Sequence, residues 1–195
     1  MNITAVITLS WPKRLGILFL VLICASILAV MIFQKVSDGP YGPLQGGHFR
    51  TGEMADSLVA NYEDMADKPT ELLLVGPGSS RTLGYIMYEG KVYISCDLGF
   101  MWNRFEGMQK LILNLIYVFK TWHLDAIEDG RAELRIAGKR YPGYLYLVED
   151  KSLNTALKTQ LEDLARQWIA PEVLGPEPEA PNGILFFKFV PGSQH

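Results

Sequence analysis

The chain has 195 residues, of which 49% are hydrophobic and 20% charged, with a net charge of −3. That length gives room for one domain of ordinary size. The mild acidity and the lack of a basic stripe with interleaved aromatics exclude a nucleic-acid surface.

The first element is Leu15 to Phe33, LGILFLVLICASILAVMIF, nineteen residues without a charge. As a helix it would reach roughly 28 Å, close to the hydrocarbon thickness of a bilayer. Apolar residues run all round it, which leaves no polar face for a buried core helix. Trp11 and Lys13-Arg14 suit an interfacial anchor and a cytoplasmic flank. A cleaved signal peptide is the rival reading, but the run is long for one and no A-x-A site follows. Ile23 before Cys24 also argues against lipoprotein cleavage. The expectation is an uncleaved single-pass anchor in the lipid bilayer over 15–33, after a flank over 1–14. The charge bias of Lys13 and Arg14 over Lys35 and Arg50 puts the N-terminus in the cytoplasm and the domain outside. Of the two cysteines Cys24 falls in this span, so Cys96 has no soluble partner and reads as a small buried apolar residue.

Ser37 to Gly47 holds four glycines and two prolines and reads as a linker or fixed surface loop, part of a Gly/Pro-rich stretch over 34–50. The domain proper then covers 51–195. Thr51 to Met65 predicts a short helix ended by Lys68-Pro69-Thr70. Glu71 to Val75 is an apolar strand bounded by a Gly-Pro-Gly turn. Thr82 to Tyr88 and Lys91 to Cys96 flank Glu89-Gly90, a two-residue hairpin turn. Pairing across it sets Met87 against Val92, Tyr85 against Ile94 and Leu83 against Cys96, an apolar face for the core. The other face, with Ile86, Tyr88, Lys91, Tyr93, Gly84, Ser95 and Thr82, reads as solvent, a partner subunit or a ligand floor.

Arg104 to Lys120 is strongly apolar and predicts a helix buried against the barrel or a dimer partner, or else a segment lying on the membrane. Arg131 to Ile136 and Lys139 to Val148 form a second hairpin around Ala137-Gly138. Pro142-Gly143 predicts a bulge or interruption suited to an edge or barrel corner. Leu153 to Trp168 is an amphipathic helix with Leu153, Ala156, Leu157, Leu161, Leu164 and Trp168 on one stripe. Pro171 to Pro181 reads as a loop and Gly183 to Val190 as a last strand. Antiparallel hairpins with two or three helices make an α+β domain built round a small barrel.

The stretch GPGSSRT, Gly76 to Thr82, offers converging backbone N–H groups, three hydroxyls and the cationic fork of Arg81, the parts of an anion cradle. It lacks the Gly-Lys-Ser/Thr of a Walker motif. The bland reading is a turn with one solvated arginine, and the residues alone favour it. His123-x-Asp125 would set an imidazole and a carboxylate on one side of a strand, able to donate to a ligand, against the bland reading of a satisfied histidine. His48, His123 and His195 lack metal spacing, so no metal site is expected. The tyrosines of the hairpins suit cross-strand or dimer-face packing.

The order of these pieces, through EGKVYIS and WHLDAIEDGRAELRIAGKRYPGYLYLVED into a helix, resembles the FMN-binding split-barrel superfamily and within it the deazaflavin-dependent nitroreductase-like branch. The resemblance covers about Glu71 to Trp168. It implies an antiparallel, Greek-key-like split β-barrel with flanking helices, a homodimer through the barrel, and FMN or a deazaflavin as cofactor. Residue by residue, it implies that Ser79, Ser80, Arg81 and Thr82 begin the phosphate-gripping loop. Ser95 is then the strand-end serine, and Trp122 and His123 open the later motif. The chain departs from the family in keeping a single basic residue, Arg81, in that loop. It also lacks the Pro-Trp-Tyr after the serine, where Trp102 stands nearby. Two functions follow: a membrane-anchored flavin or deazaflavin oxidoreductase passing hydride to a small organic acceptor, or a split barrel without cofactor serving as an extracytoplasmic binding or assembly module.

Overall fold

Two tight turns organise the sheet. Glu89-Gly90 and Ala137-Gly138 each place two consecutive residues at positive φ (49° and 69°, 51° and 79°). That is type I′ geometry, whose twist matches the strands it joins. The first turn links β4 (Tyr85–Tyr88) to β5 (Lys91–Asp97), and the second links β6 (Arg131–Ile136) to β7 (Lys139–Leu147). The register across the first is the expected one, with Tyr85 opposite Ile94 and Met87 opposite Val92. In this computed structural model the described residues are 11–42, 44–55, 69–98, 121–168 and 183–192.

Around the hairpins lie β2 (Thr70–Leu74), β3 (Ser79–Leu83) and β8 (Ile184–Pro191), in the order β3-β2-β6-β7-β8-β5-β4. Every neighbouring pair on that path is antiparallel. The two ends of the path are consecutive in the chain: Leu83 closes β3, Tyr85 opens β4, and only Gly84 stands between them. Cα atoms two residues apart are separated by at most about 7 Å. The outer edges of the sheet must therefore meet at Gly84, and the sheet curls into a barrel split between β3 and β4. This overturns the expectation of one strand from Thr82 to Tyr88. Leu83 pairs with Thr70 rather than Cys96, and Cys96 pairs with Leu185.

The barrel interior is packed by Leu72, Leu74, Val92, Ile94, Cys96, Ala132, Leu134, Ile136, Tyr141, Leu145, Phe187 and Phe189, closed at one side by Trp122 and Ala126 of α2 (Trp122–Glu128). Leu83, Tyr85 and Met87 line the same interior, so the apolar face read from the first hairpin is the core face. The opposite face is covered by a helix along its middle, while Thr82, Gly84 and Lys91 at its ends are exposed. Ile86, Tyr93 and Phe186 there are covered by Leu153, Leu157, Leu161 and Leu164 of α3 (Lys151–Trp168). Asp150 starts α3 by accepting the Leu153 N–H at 2.8 Å, an N-cap bond that satisfies one of the helix's orphan donors.

Pro142 does not interrupt β7. Residues 139–147 form one continuous strand in the interior of the sheet, with Pro142 opposite Glu133. Its missing N–H falls beside Gly192, just past the end of β8, where its carbonyl still accepts the Gly192 N–H at 3.0 Å. No central ladder bond is lost, and the proline costs little.

The helix expected over Thr51–Met65 begins instead with a strand, β1 (Glu53–Met54), parallel to Lys139 and Arg140 of β7. The rest of that helix lies outside the described residues, as do Trp102, the apolar segment 104–120 and the loop 171–181. At the N-terminus α1 (Trp11–Val36) has no buried residue. It is long and apolar enough to cross a membrane.

Candidate functional site

Three N–H groups around the turn after β2 are already committed. Val75 N–H goes to the Arg131 carbonyl at 3.0 Å, Gly78 N–H to Leu74 at 3.0 Å, and Ser80 N–H to Gly46 at 2.9 Å. Pro77 has none to give. An anion nest needs N–H groups aimed together into an empty concavity, and here they close a hairpin and tie down the segment before β1. Two side chains crowd the same turn. Asp129 Oδ2 lies 2.9 Å from where a Cβ on Gly76 would stand, and His48 Nε2 lies 2.5 Å from the corresponding point on Gly78. Arg131 holds Asp129 ionised, its side chain donating at 2.6 Å and its N–H at 3.1 Å, so hydrogen bonding keeps the Asp129 carboxyl below its usual range. At the expected cradle, Gly76–Thr82, these N–H groups close the turn, and the Asp129–Arg131 ion pair stands beside it.

The side chains that follow separate because a strand alternates its faces. Arg81, opposite Leu72, points into the barrel and is only 9% exposed. Its guanidinium carbon sits 5.4 Å from the centre of the Trp122 ring, and its Nη2 donates to Ser79 Oγ at 3.0 Å. Burial lowers its pKa to about 10, opposed by the charge of Asp125, so it stays cationic at neutral pH. Ser80 points the other way, is fully buried, and donates to the Gly47 carbonyl at 2.7 Å. Thr82, opposite Glu71, is exposed. Ser95 lies on the outer sheet face, opposite Phe186 and on the side of Tyr93 that α3 covers.

Trp122 and His123 open α2, not a strand. Trp122 is 2% exposed and packs on Phe187 with centroids 5.4 Å apart, while His123 is half-buried. Residues two apart on a helix lie on nearly opposite sides, so the His123–Asp125 pair expected on one side of a strand does not form as drawn. Of the seven expected residues the structure brings together Ser79, Arg81 and Trp122. Ser80, Thr82 and Ser95 go elsewhere, and His123 is half-buried next to Trp122 in the chain.

The stack carries two buried N–H donors, Arg81 Nε and Trp122 Nε1, that meet no acceptor among the described residues. Each would take an acceptor oxygen or nitrogen. Among the described residues no group of three metal-ligating side chains occurs.

A second cluster was missed by sequence reading. Arg135 of β6 donates to Asp38 Oδ1 at 3.0 Å and to the Asp38 carbonyl at 3.1 Å, pairs with Glu71, and lies 4.3 Å over the Phe49 ring. Asp38 also receives the N–H groups of Arg50 and Thr51. Only the Gly/Pro content of this stretch was a local signal, and it does not reveal a partner 97 residues away.

No protein-family profile matches the chain, and no curated protein does. Solved structures give similarity at low identity. A Listeria innocua protein named for pyridoxamine 5′-phosphate oxidase is 13% identical over 67% of this chain and 87% of its own, with a TM-score of 0.38. The General Stress Protein 26 of Bacillus anthracis is 13% identical over 66% and 84%, with a TM-score of 0.36. A FAD-binding protein of Mesorhizobium loti is 10% identical over 71% and 91%, with a TM-score of 0.37. The split barrel described above stands on this chain's own strand order.

Proposed function

We propose that this chain is a membrane-anchored split-barrel protein acting as a binding or assembly module, without a flavin phosphate at Gly76–Thr82. The observation that carries this reading is the direction of Arg81. The turn's single cation is turned into the barrel over Trp122, while Ser80 and Thr82 face away from it. A phosphate at the turn would meet the Asp129–Arg131 ion pair rather than an uncommitted cation. The anchor is α1 in the bilayer, with the N-terminus cytoplasmic and the barrel extracytoplasmic, as the flanking charges suggest. A second copy is the natural partner: Leu124 and Ile127 of α2 are 57% and 52% exposed, and Tyr146 of β7 is 55% exposed, apolar surface that a homodimer would cover.

Purified full-length protein in detergent tests the reading. No visible flavin absorbance and no saturable uptake of FMN or a reduced deazaflavin are expected. Binding that Arg81→Ala weakens at least about tenfold, roughly 1.4 kcal/mol, would overturn it. Sedimentation of the same sample reports the dimer, and tag accessibility on intact cells reports the orientation.

One observation favours the second reading, an FMN- or deazaflavin-dependent oxidoreductase passing hydride to a small organic acceptor. It is the pair of buried donors on Arg81 and Trp122. The cofactor would supply the hydride chemistry, and this chain would supply donors from inside the barrel rather than from the turn. In the titration it requires binding that depends on both Arg81 and Trp122.

A further inference from the structure

We propose that the turn from Tyr41 to Leu44 is a second bilayer contact, a foot that rests in the headgroup interface beside the membrane end of α1. The inference depends on α1 spanning the membrane.

The turn is a built feature. Tyr41 and Leu44 exchange both backbone hydrogen bonds, each 3.1 Å long, and Gly42 adopts a φ of 57° that suits the tight reversal. Its apolar side chains point outward, Tyr41 being 74% exposed and Leu44 43%. Exposed residues of this kind at the tip of a short turn gain nothing from water. They gain at an interface, where a tyrosine ring sits among the headgroups with its hydroxyl hydrated.

Its position ties it to the anchor. The Tyr41 ring packs edge-on against Phe33, centroids 6.4 Å apart at 88°. Phe33 is the last residue of the apolar run, before Gln34 and Lys35, so the foot lies at the level where the apolar part of α1 ends. The helix continues only to Val36, with Ser37 N–H still bonded to Phe33 at 2.9 Å.

Both sides of the turn are held. Ser37 Oγ accepts the Gly47 N–H at 3.1 Å, and Gly47 lies so close to the end of α1 that a Cβ there would come within 2.8 Å of the Lys35 carbonyl. Asp38, just before the turn, is gripped by Arg135 of the barrel and by the Arg50 N–H at 2.6 Å. Gly46, just after it, exchanges backbone bonds with Ser80 at 2.9 Å. The foot therefore cannot swing away without breaking contacts to α1 and to β3 and β6. With α1 it gives two points of contact, which fix the tilt of the barrel over the membrane.

The test reconstitutes the full chain in phosphatidylcholine vesicles, in a Cys24→Ser background with the fully buried Cys96 left unlabelled. A nitroxide is placed at Leu28→Cys in α1, Leu44→Cys in the foot, or Lys91→Cys at the tip of the first hairpin. Spin-label relaxation is measured with oxygen, which partitions into lipid, and with a water-soluble nickel chelate. Position 28 is expected to be lipid-like and position 91 aqueous. Position 44 should fall between them, with an oxygen-to-nickel ratio about threefold above that of position 91, as for an interfacial group. An aqueous position 44 with a lipid-like position 28 overturns the foot and leaves the anchor standing. An aqueous position 28 overturns both.

Discussion

The Arg81 guanidinium stacks over the Trp122 ring at 5.4 Å, which puts the only cation of the Gly76–Thr82 stretch inside the barrel. Ser79 alone among the neighbouring hydroxyls follows it there, accepting a hydrogen bond at 3.0 Å.

A buried guanidinium whose Nε finds no acceptor among the described residues costs stability, offset in part by the Trp122 ring and the Asp125 charge. Arg81→Met fills the same volume without the charge. It is expected to hold or raise Tm in thermal unfolding, whereas Trp122→Ala should cost about 3–5 kcal/mol by cavity formation. A large loss of stability in Arg81→Met would mean that the cation is structurally required.

Asp38 reports on the strap that joins α1 to the barrel. Burial raises its pKa, but the Arg50 and Thr51 hydrogen bonds and the Arg135 charge outweigh that and hold the carboxyl well below the ordinary value of 3.8. Because the folded-state pKa is depressed, the stabilisation is fully present above that ordinary value and fades as pH falls below it. Asp38→Asn should cost about 2 kcal/mol at neutral pH, the worth of charge-assisted bonds, and flatten that acid dependence. Denaturant titrations of both proteins at neutral and acidic pH check the expectation.

Leu157 of α3 is fully buried against Ile86, Tyr93 and Phe186. Leu157→Ala is expected to lose about 2–5 kcal/mol and to free the outer face of β4 and β5, visible as faster amide exchange in Tyr93 and Ser95. Unchanged exchange there would mean that α3 is held by other contacts.

Glu89 occupies a left-handed position, φ 49°, in the first hairpin turn. Asn tolerates that conformation better than Glu. Glu89→Asn should therefore stabilise the domain by about 0.5–1 kcal/mol in equilibrium unfolding, with the hairpin register unchanged.

What the sequence determined by itself was local. Glu89-Gly90 and Ala137-Gly138 between alternating runs dictate two hairpins, because only a few residue pairs accept two successive positive φ values. The stripe from Leu153 to Leu164 dictates an amphipathic helix, and the uncharged run from Leu15 to Phe33 dictates a helix fit to span a bilayer. Each signal lies within one element, where spacing and backbone sterics act directly. Tertiary structure decided the rest. Gly84 breaks one apparent strand into the two barrel edges, a division visible only once β2 claims Leu83 and β8 claims Cys96. The same closure turns Arg81 inward, since its pairing with Leu72 assigns it to the barrel's inner face. His123 and Asp125 were read onto one side of a strand, and they lie in a helix instead. Asp38 and Arg135, 97 residues apart, met only through packing. Residue type and spacing define which groups a strand or turn carries, but strand pairing decides which face they take. The candidate anion cradle at Gly76–Thr82 depended on that choice of face.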